Sequence, residues 1–182
     1  MSDGNGNILE TKGLTVTFGG LNANDGVDLA VPHGSFVGLI GPNGAGKTTF
    51  IDAITGYVPM SAGTAVFDGN EIGALKPHER AQAGLVRTFQ SLELFEDLSV
   101  RDNLLVAGYP TRWYSFILDM LHLTPTDAEV EERVDWALDI MGLTGEAEAM
   151  PTDLSQGRRK LVGVARALAA QPKLILLDEP AA

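Results

Sequence analysis

The chain has 182 residues, 45% of them hydrophobic, with a formal charge of −11 and a pI near 4.5. A balance this acidic argues against nucleic acid as the main partner, since binding a phosphate backbone draws on a basic face. The absence of cysteine excludes disulfides and thiolate metal sites, and no apolar run is long enough to span a bilayer, so a soluble globular domain with at most a peripheral membrane role is expected.

The first residues, MSDGNGN at positions 1–7, are polar, lack the basic and apolar regions of a signal peptide, and read as a disordered start. Leu14 to Phe18 and Val27 to Val31 alternate in polarity, which predicts half-buried strands of an antiparallel sheet. The apolar run from Ser35 to Ile40 predicts a buried strand. It leads into GPNGAGKT, Gly41 to Thr48, and then into the helix-like stretch Thr49 to Ile54. Strand, glycine-rich loop and helix in that order are the context a phosphate-binding loop requires. Glycines let loop N–H groups converge on phosphate oxygens, and the helix N-terminus adds positive potential. Lys47 supplies a point charge for the β- and γ-phosphates, worth about 4 kcal/mol at ~4 Å under surface-like screening, and Thr48 offers a hydroxyl to Mg²⁺. A plain strand-to-helix turn accounts for the glycines but not for Lys47 and Thr48 together.

Thr64 to Phe67 reads as a strand closed by Asp68-Gly69, Pro77 and Gly84 bracket a short helix, and Leu85 to Phe89 predicts a strand running into Gln90. Ser99-x-x-Asp102 resembles a capping box for a helix through Val106. Thr126-x-x-Glu129 resembles another, opening a helix with Val130, Val134, Ala137, Leu138 and Met141 on one face and Gly142 at its end. The aromatic stretch Trp113 to Leu121 reads either as core or as a docking patch. Leu92 to Met150 is expected to form a helical lobe inserted in the core. After Pro151 a helix is predicted from about Gly157 to Ala170, followed by an apolar strand, Lys173 to Leu177, that ends in Asp178-Glu179.

An acidic pair after a strand is commonly a solvated turn. With GPNGAGKT upstream, LILLDE reads instead as a buried parallel strand that delivers Asp178 to Mg²⁺ and Glu179 to the attacking water. Leu154-Ser155-Gln156-Gly157-Arg158, an ordinary helix cap in isolation, resembles the LSGGQ signature of ATP-binding cassette (ABC) ATPases; Ser155 and Gly157 match it, while Gln156 and Arg158 depart.

That resemblance covers about Leu9 to Ala182. It implies an α/β P-loop NTPase core with an N-terminal antiparallel β subdomain and an inserted helical lobe. It also implies ATP and Mg²⁺ as cofactors: Gly41, Asn43, Gly44, Ala45, Gly46, Lys47, Thr48 and Thr49 hold the nucleotide, and Thr48, Gln90 and Asp178 hold the metal. Gln90 matches the Q-loop glutamine, which serves catalysis beside Glu179. Phe18 takes the place of the aromatic that stacks on adenine, although it also suits a core strand position. In the family two cassettes pair head to tail, so Ser155 and Gly157 cap the ATP held by the other copy.

The stretches TGYVPMSAGTAVFDG and KPHERAQAGLVRTFQSLELFEDLSVRDNLLVA are similar to the ATPase subunits of branched-chain amino acid importers. Implied partners are membrane permease subunits, a second identical or related ATPase and, indirectly, an external substrate-binding protein, with the chain peripheral on the cytoplasmic face. A soluble cassette ATPase of translation or DNA repair is the alternative in another class. The family's D-loop and switch histidine lie beyond the acidic pair. His33, His78 and His122 precede it and lack ligand-like spacing, so the chain is expected to be a C-terminally truncated cassette, or a fragment that binds nucleotide without turnover.

Overall fold

A computed structural model of the chain describes residues 6–88, 94–109 and 127–177. The chain divides into two compact units, Met1–Val86 and Arg87–Ala182.

In the first unit, β1 (Asn7–Phe18) and β2 (Leu21–Pro32) form a long hairpin. β3 (Ala62–Phe67) and β4 (Asn70–Glu71) extend it into an antiparallel sheet of order β2-β1-β3-β4. Ordered structure thus includes Asn7, which the polar composition of the N-terminus had assigned to a disordered start; its strand pairing with Pro32 supplies the backbone partners that composition does not reveal. Alternation along β1 buries Leu9, Thr11, Leu14 and Val16, so one face of the sheet carries the core. Asp68-Gly69 makes the expected turn between β3 and β4.

Helix α1 (Lys47–Thr55) buries Phe50, Ala53 and Ile54. Its C-terminal end is closed in two ways. Gly56 adopts the left-handed conformation (φ 85°), and Tyr57 N–H donates to Asp52 O at 2.9 Å. Arg80, only 3% exposed, sits on helix α2 (Pro77–Gln82) and turns its guanidinium onto the last carbonyls of α1. Its Nη1 donates to Ala53 O at 2.7 Å and to Ile54 O at 2.6 Å, Nη2 to Gly73 O at 3.2 Å, and Nε to Leu75 O at 2.9 Å. Burial lowers the guanidinium pKa, yet an arginine stays charged at neutral pH, and its cation faces the negative end of the helix dipole.

The expected buried strand from Ser35 to Ile40 does not form. The segment has no ladder partner among the described residues, and Phe36 and Ile40 are fully exposed. Apolar composition suits a buried parallel strand only where neighbouring strands supply hydrogen bonds and cover. Here Ser35 instead folds back, its Oγ donating to Pro32 O at 2.7 Å.

β5 (Leu85–Thr88) leads from the first unit into the second and pairs with β6 (Leu174–Leu177) in a two-stranded sheet. β6 was expected to be buried; it is half-buried, with Leu177 exposed, because a two-stranded sheet covers little of its own surface. In the second unit helices α3 (Val100–Gly108), α4 (Asp127–Ile140) and α5 (Gln156–Ala169) share one apolar core. Leu104 of α3, Val134 and Leu138 of α4, and Val162 and Ala165 of α5 meet there. Ser99 caps α3: its Oγ accepts from Asp102 N at 3.1 Å and donates to Asp102 Oδ2 at 2.7 Å. At the start of α4, Tyr109 Oη donates to Asp127 Oδ1 at 2.9 Å, and this hydrogen bond raises the phenol pKa.

Fully buried Asn103 clamps the loop before α3. Its Oδ1 accepts from Phe95 N at 2.8 Å, while Nδ2 faces Phe95 O (3.0 Å), Leu98 O (3.1 Å) and Ser99 O (2.9 Å). Gly142, at φ 64°, ends the α4 segment as expected. Phe89, Trp113 to Leu121 and Thr126 lie outside the described residues.

The Arg80 cap yields a stability prediction. Arg80→Met fills much of the same volume but leaves the buried Ile54 carbonyl without its guanidinium donor and removes those of Ala53, Leu75 and Gly73. Chemical denaturation is expected to show a loss of about 3 kcal/mol or more.

Candidate functional site

The loop Gly41–Thr48 is drawn into a tight arch before α1. Ala45 N–H donates to Pro42 O at 3.2 Å, and Gly44 and Gly46 take left-handed angles, φ 81° and 83°. Gly46 is the N-cap of α1, and no side chain caps the helix there. The first N–H groups of α1, which no intrahelical carbonyl can satisfy, are therefore left to an external acceptor.

Lys47, the first helical residue, folds its side chain back over the loop: Nζ donates to Gly41 O at 2.7 Å and to Pro42 O at 2.8 Å. The ammonium is thereby kept beside the arch. Asn43, Gly44, Ala45 and Thr48 are exposed, while Gly41, Gly46, Lys47 and Thr49 are half-buried. Fixed N–H donors, a helix N-terminus and one cation converge where an anion with several oxygens is stabilised. Thr48, exposed at the same helix end, carries a hydroxyl of the kind a hard cation accepts.

Gly46 has no room for a side chain. A Cβ there would lie 2.3 Å from Ala23 O and 2.8 Å from Asn24 Nδ2, both on β2. The antiparallel sheet is thus packed directly against the loop-to-helix junction. Asn24, 8% exposed, donates from Nδ2 to Gly46 O at 3.2 Å. Sequence reasoning passed over Asn24 and Arg80. Neither carries a motif, and Asn24 falls between the predicted strands Leu14 to Phe18 and Val27 to Val31.

Phe18 ends β1 at the hairpin tip and is 51% exposed, so its ring is not a core side chain. Ser155 caps α5, its Oγ accepting from Arg158 N at a long 3.4 Å, and Ser155, Gln156 and Gly157 are exposed. Arg158, which departs from the signature pattern, has structural work: its Nε pairs with Glu146 Oε1 at 3.1 Å and Nη1 donates to Gly142 O at 3.1 Å. It ties the start of α5 to the turn after α4. Further along α5, Arg159 Nη2 pairs with Glu96 Oε1 at 2.9 Å, and the Arg166 guanidinium lies 5.8 Å from the Phe95 ring centre.

The structure thus gathers residues 41–49 into one loop-and-helix site in the first unit, and places Ser155 and Gly157 at a helix start in the second. Gln90, Asp178 and Glu179 lie outside the described residues; β6 ends at Leu177, one position before Asp178. Among the described residues, no group of three or more His, Cys, Asp or Glu is arranged to hold a metal ion by itself.

The ABC transporter family profile matches residues 24–182. The chain is 38% identical over 178 residues to the high-affinity branched-chain amino acid transport ATP-binding protein BraF of Pseudomonas aeruginosa, covering 96% of this chain and 70% of that protein. It is 35% identical, with the same coverages, to the corresponding protein LivG of Escherichia coli. Against a probable LivG of Archaeoglobus fulgidus it is 36% identical, covering 96% of this chain and 68% of that one. Among solved structures it is similar to a nucleotide-free ATP-binding cassette from an ABC transporter, with TM-score 0.79, 34% identity and coverages of 97% and 70%. An ATP-binding cassette in its ADP conformation gives TM-score 0.80, 33% identity and the same coverages.

The crowding at Gly46 separates the two left-handed glycines. Gly46→Ala bears the cost of its left-handed angle and must also displace the β2 backbone, so it is expected to cost about 2–5 kcal/mol of stability and at least ~10-fold in ATP affinity, which corresponds to about 1.4 kcal/mol. Gly44→Ala, whose Cβ would meet nothing within 4 Å, is expected to cost about 1–2 kcal/mol from its backbone angle alone. Thermal melts and ATP titration of both variants check the order.

Proposed function

The chain belongs to the ABC transporter family of ATP-binding cassettes, and on that footing we propose that its ATP hydrolysis powers uptake of branched-chain amino acids through membrane permease subunits. The observation that carries the proposal is the uncapped start of α1 behind Gly46, with Lys47 folded over the loop. This is a polyphosphate grip inside a chain whose curated relatives are named for branched-chain amino acid transport.

In this reading the N–H groups from Asn43 to Gly46 line the phosphates, that of Ala45 turning to them from the Pro42 carbonyl it meets in the free loop. Lys47 moves from the Gly41 and Pro42 carbonyls to the β- and γ-phosphates. Thr48 and Thr49 close the first turn, and Phe18 offers its exposed face to the adenine. Mg²⁺, held by Thr48, Asp178 and Gln90, would neutralise phosphate charge. Glu179 orients and deprotonates the attacking water with Gln90 beside it.

Two cassettes, identical or related, close around ATP so that Ser155 and Gly157 of one present a helix N-terminus to the γ-phosphate bound by the other. Hydrolysis then replaces one bridging triphosphate by two repelling anions, and the pair reopens. Differential binding of the two nucleotide states supplies the work. The transported amino acid meets the permease and an external binding protein, never this subunit. Among the described residues no helix is long and apolar enough to cross a membrane; the peripheral position on the cytoplasmic face is proposed from the family.

Two substitutions in the assembled transporter test the roles separately. Lys47→Ala is expected to weaken ATP binding at least ~10-fold, consistent with the loss of one charge contact. Glu179→Gln is expected to leave ATP binding intact and reduce turnover about 10²-fold or more. Unchanged ATP affinity in the first variant would remove the phosphate grip, and undiminished turnover in the second would remove the base.

A further inference from the structure

We propose that Asn24 is a positioning residue of the phosphate loop, holding the Gly46–Lys47 peptide at the angle that aims the Lys47 N–H at the bound phosphate. The inference rests on the nucleotide-site reading above and extends it to a residue of the antiparallel sheet.

The starting point is a change of register in the hairpin. Leu14 pairs with Val27, but two residues further along β1, Val16 pairs with Asn24, three positions back along β2. The extra residue is taken up at Asp25-Gly26, where Gly26 has φ 64° and its N–H donates to Thr15 Oγ1 at 3.0 Å. A bulge reverses the alternation of side chains on the bulged strand. Below it Val27, Leu29 and Val31 are the partly or fully buried positions of β2; above it Asn24 is turned inward opposite buried Val16. The bulge therefore brings a carboxamide, rather than an apolar side chain, to the underside of the loop.

The contact made there is specific. A carbonyl only accepts, so Nδ2 is the atom that faces Gly46 O, at 3.2 Å. The same carbonyl accepts the first helical bond of α1, from Phe50 N at 2.9 Å, so both its lone pairs are engaged. In a planar trans peptide the C=O and the following N–H point in opposite directions. Fixing Gly46 O from the β2 side therefore aims the Lys47 N–H away from the sheet, toward the space under the arch. No side chain caps α1, so Asn24 orients this end of the helix without occupying the donors a phosphate needs.

Asn24 Oδ1, by contrast, is buried with no hydrogen-bond partner among the described residues. That leaves an unsatisfied acceptor, which lowers stability. The carboxamide is thus a poor packing group here, and its contribution is the bond to Gly46.

Opposite signs for stability and binding distinguish positioning from packing. Asn24→Leu, close in volume, removes both the donor and the orphaned acceptor. The thermal midpoint is expected to stay level or rise, while the Kd for Mg-ATP, measured by calorimetry, weakens about three- to tenfold, the range one neutral hydrogen bond supports. Hydrogen exchange at the Lys47 amide of the nucleotide-free protein is expected to quicken. Asn24→Ser, smaller and polar, is expected to lose affinity similarly and covers the case in which leucine disturbs the sheet. ATP affinity within about twofold of the wild type in the folded variants overturns the proposal. Lys47→Ala is the control: if it loses affinity while the Asn24 variants do not, only the positioning role falls; if it binds as tightly as the wild type, the nucleotide site itself is misassigned.

Discussion

Helix α1 is held by an asymmetry between its two ends. At its C-terminal end the carbonyls of Ala53 and Ile54 are taken by buried Arg80, and Gly56 turns the chain away. At its N-terminal end the N-cap is Gly46, with no side-chain cap bond to the free N–H groups among the described residues. One end of the dipole is neutralised inside the protein and the other is kept for a ligand. The position of the loop, the posture of Lys47 and the value of the left-handed glycines all follow from a helix anchored in this way. A helix of this length has little intrinsic stability in water, so the anchors do what propensity cannot.

The second unit solves a related problem with side chains in place of backbone. Asn103 engages four backbone groups of the loop from Phe95 to Ser99, its two N–H bonds shared among three carbonyls, while completely buried. Arg159 and Arg166 hold Glu96 and Phe95 of that same loop from two turns of α5. Ser155, at the start of α5, is therefore mounted on a helix whose flank is clamped to the segment that follows the Gln90 region in sequence. Arg158 adds a tether to the turn after α4. The lobe acts through a few charged and amide contacts around a core of small and branched side chains.

Much of this was legible before any coordinates. Local chemistry fixes the turn at Asp68-Gly69, Pro77 opening α2, the Ser99–Asp102 cap and Gly142 after α4, and each of these depends on residues within a few positions of one another. The apolar face of α4 was equally plain, since Val130, Val134, Ala137 and Leu138 repeat at helical spacing and are buried. What could not be read is non-local. Nothing in HERAQ marks Arg80 as the cap of a helix some 25 residues earlier, and nothing around Asn24 predicts that a bulge will turn it inward. The run from Ser35 to Ile40 misled for the same reason: composition records a preference for cover but not the presence of a neighbour. In the site itself the glycines, Lys47 and Thr48 announce the chemistry, whereas the residues that aim them are silent.

The exposed run Phe36-Val37-Gly38-Leu39-Ile40 has a consequence for the polypeptide outside its finished assembly. With no ladder partner among the described residues, uncovered apolar side chains and no charge to repel a second molecule, it is adhesive in the way sheet margins are. Rapid shielding of this tract therefore favours recovery of the chain from a crowded cell. Chaperone holdases that favour bare aliphatic and aromatic stretches compete for it with aggregation.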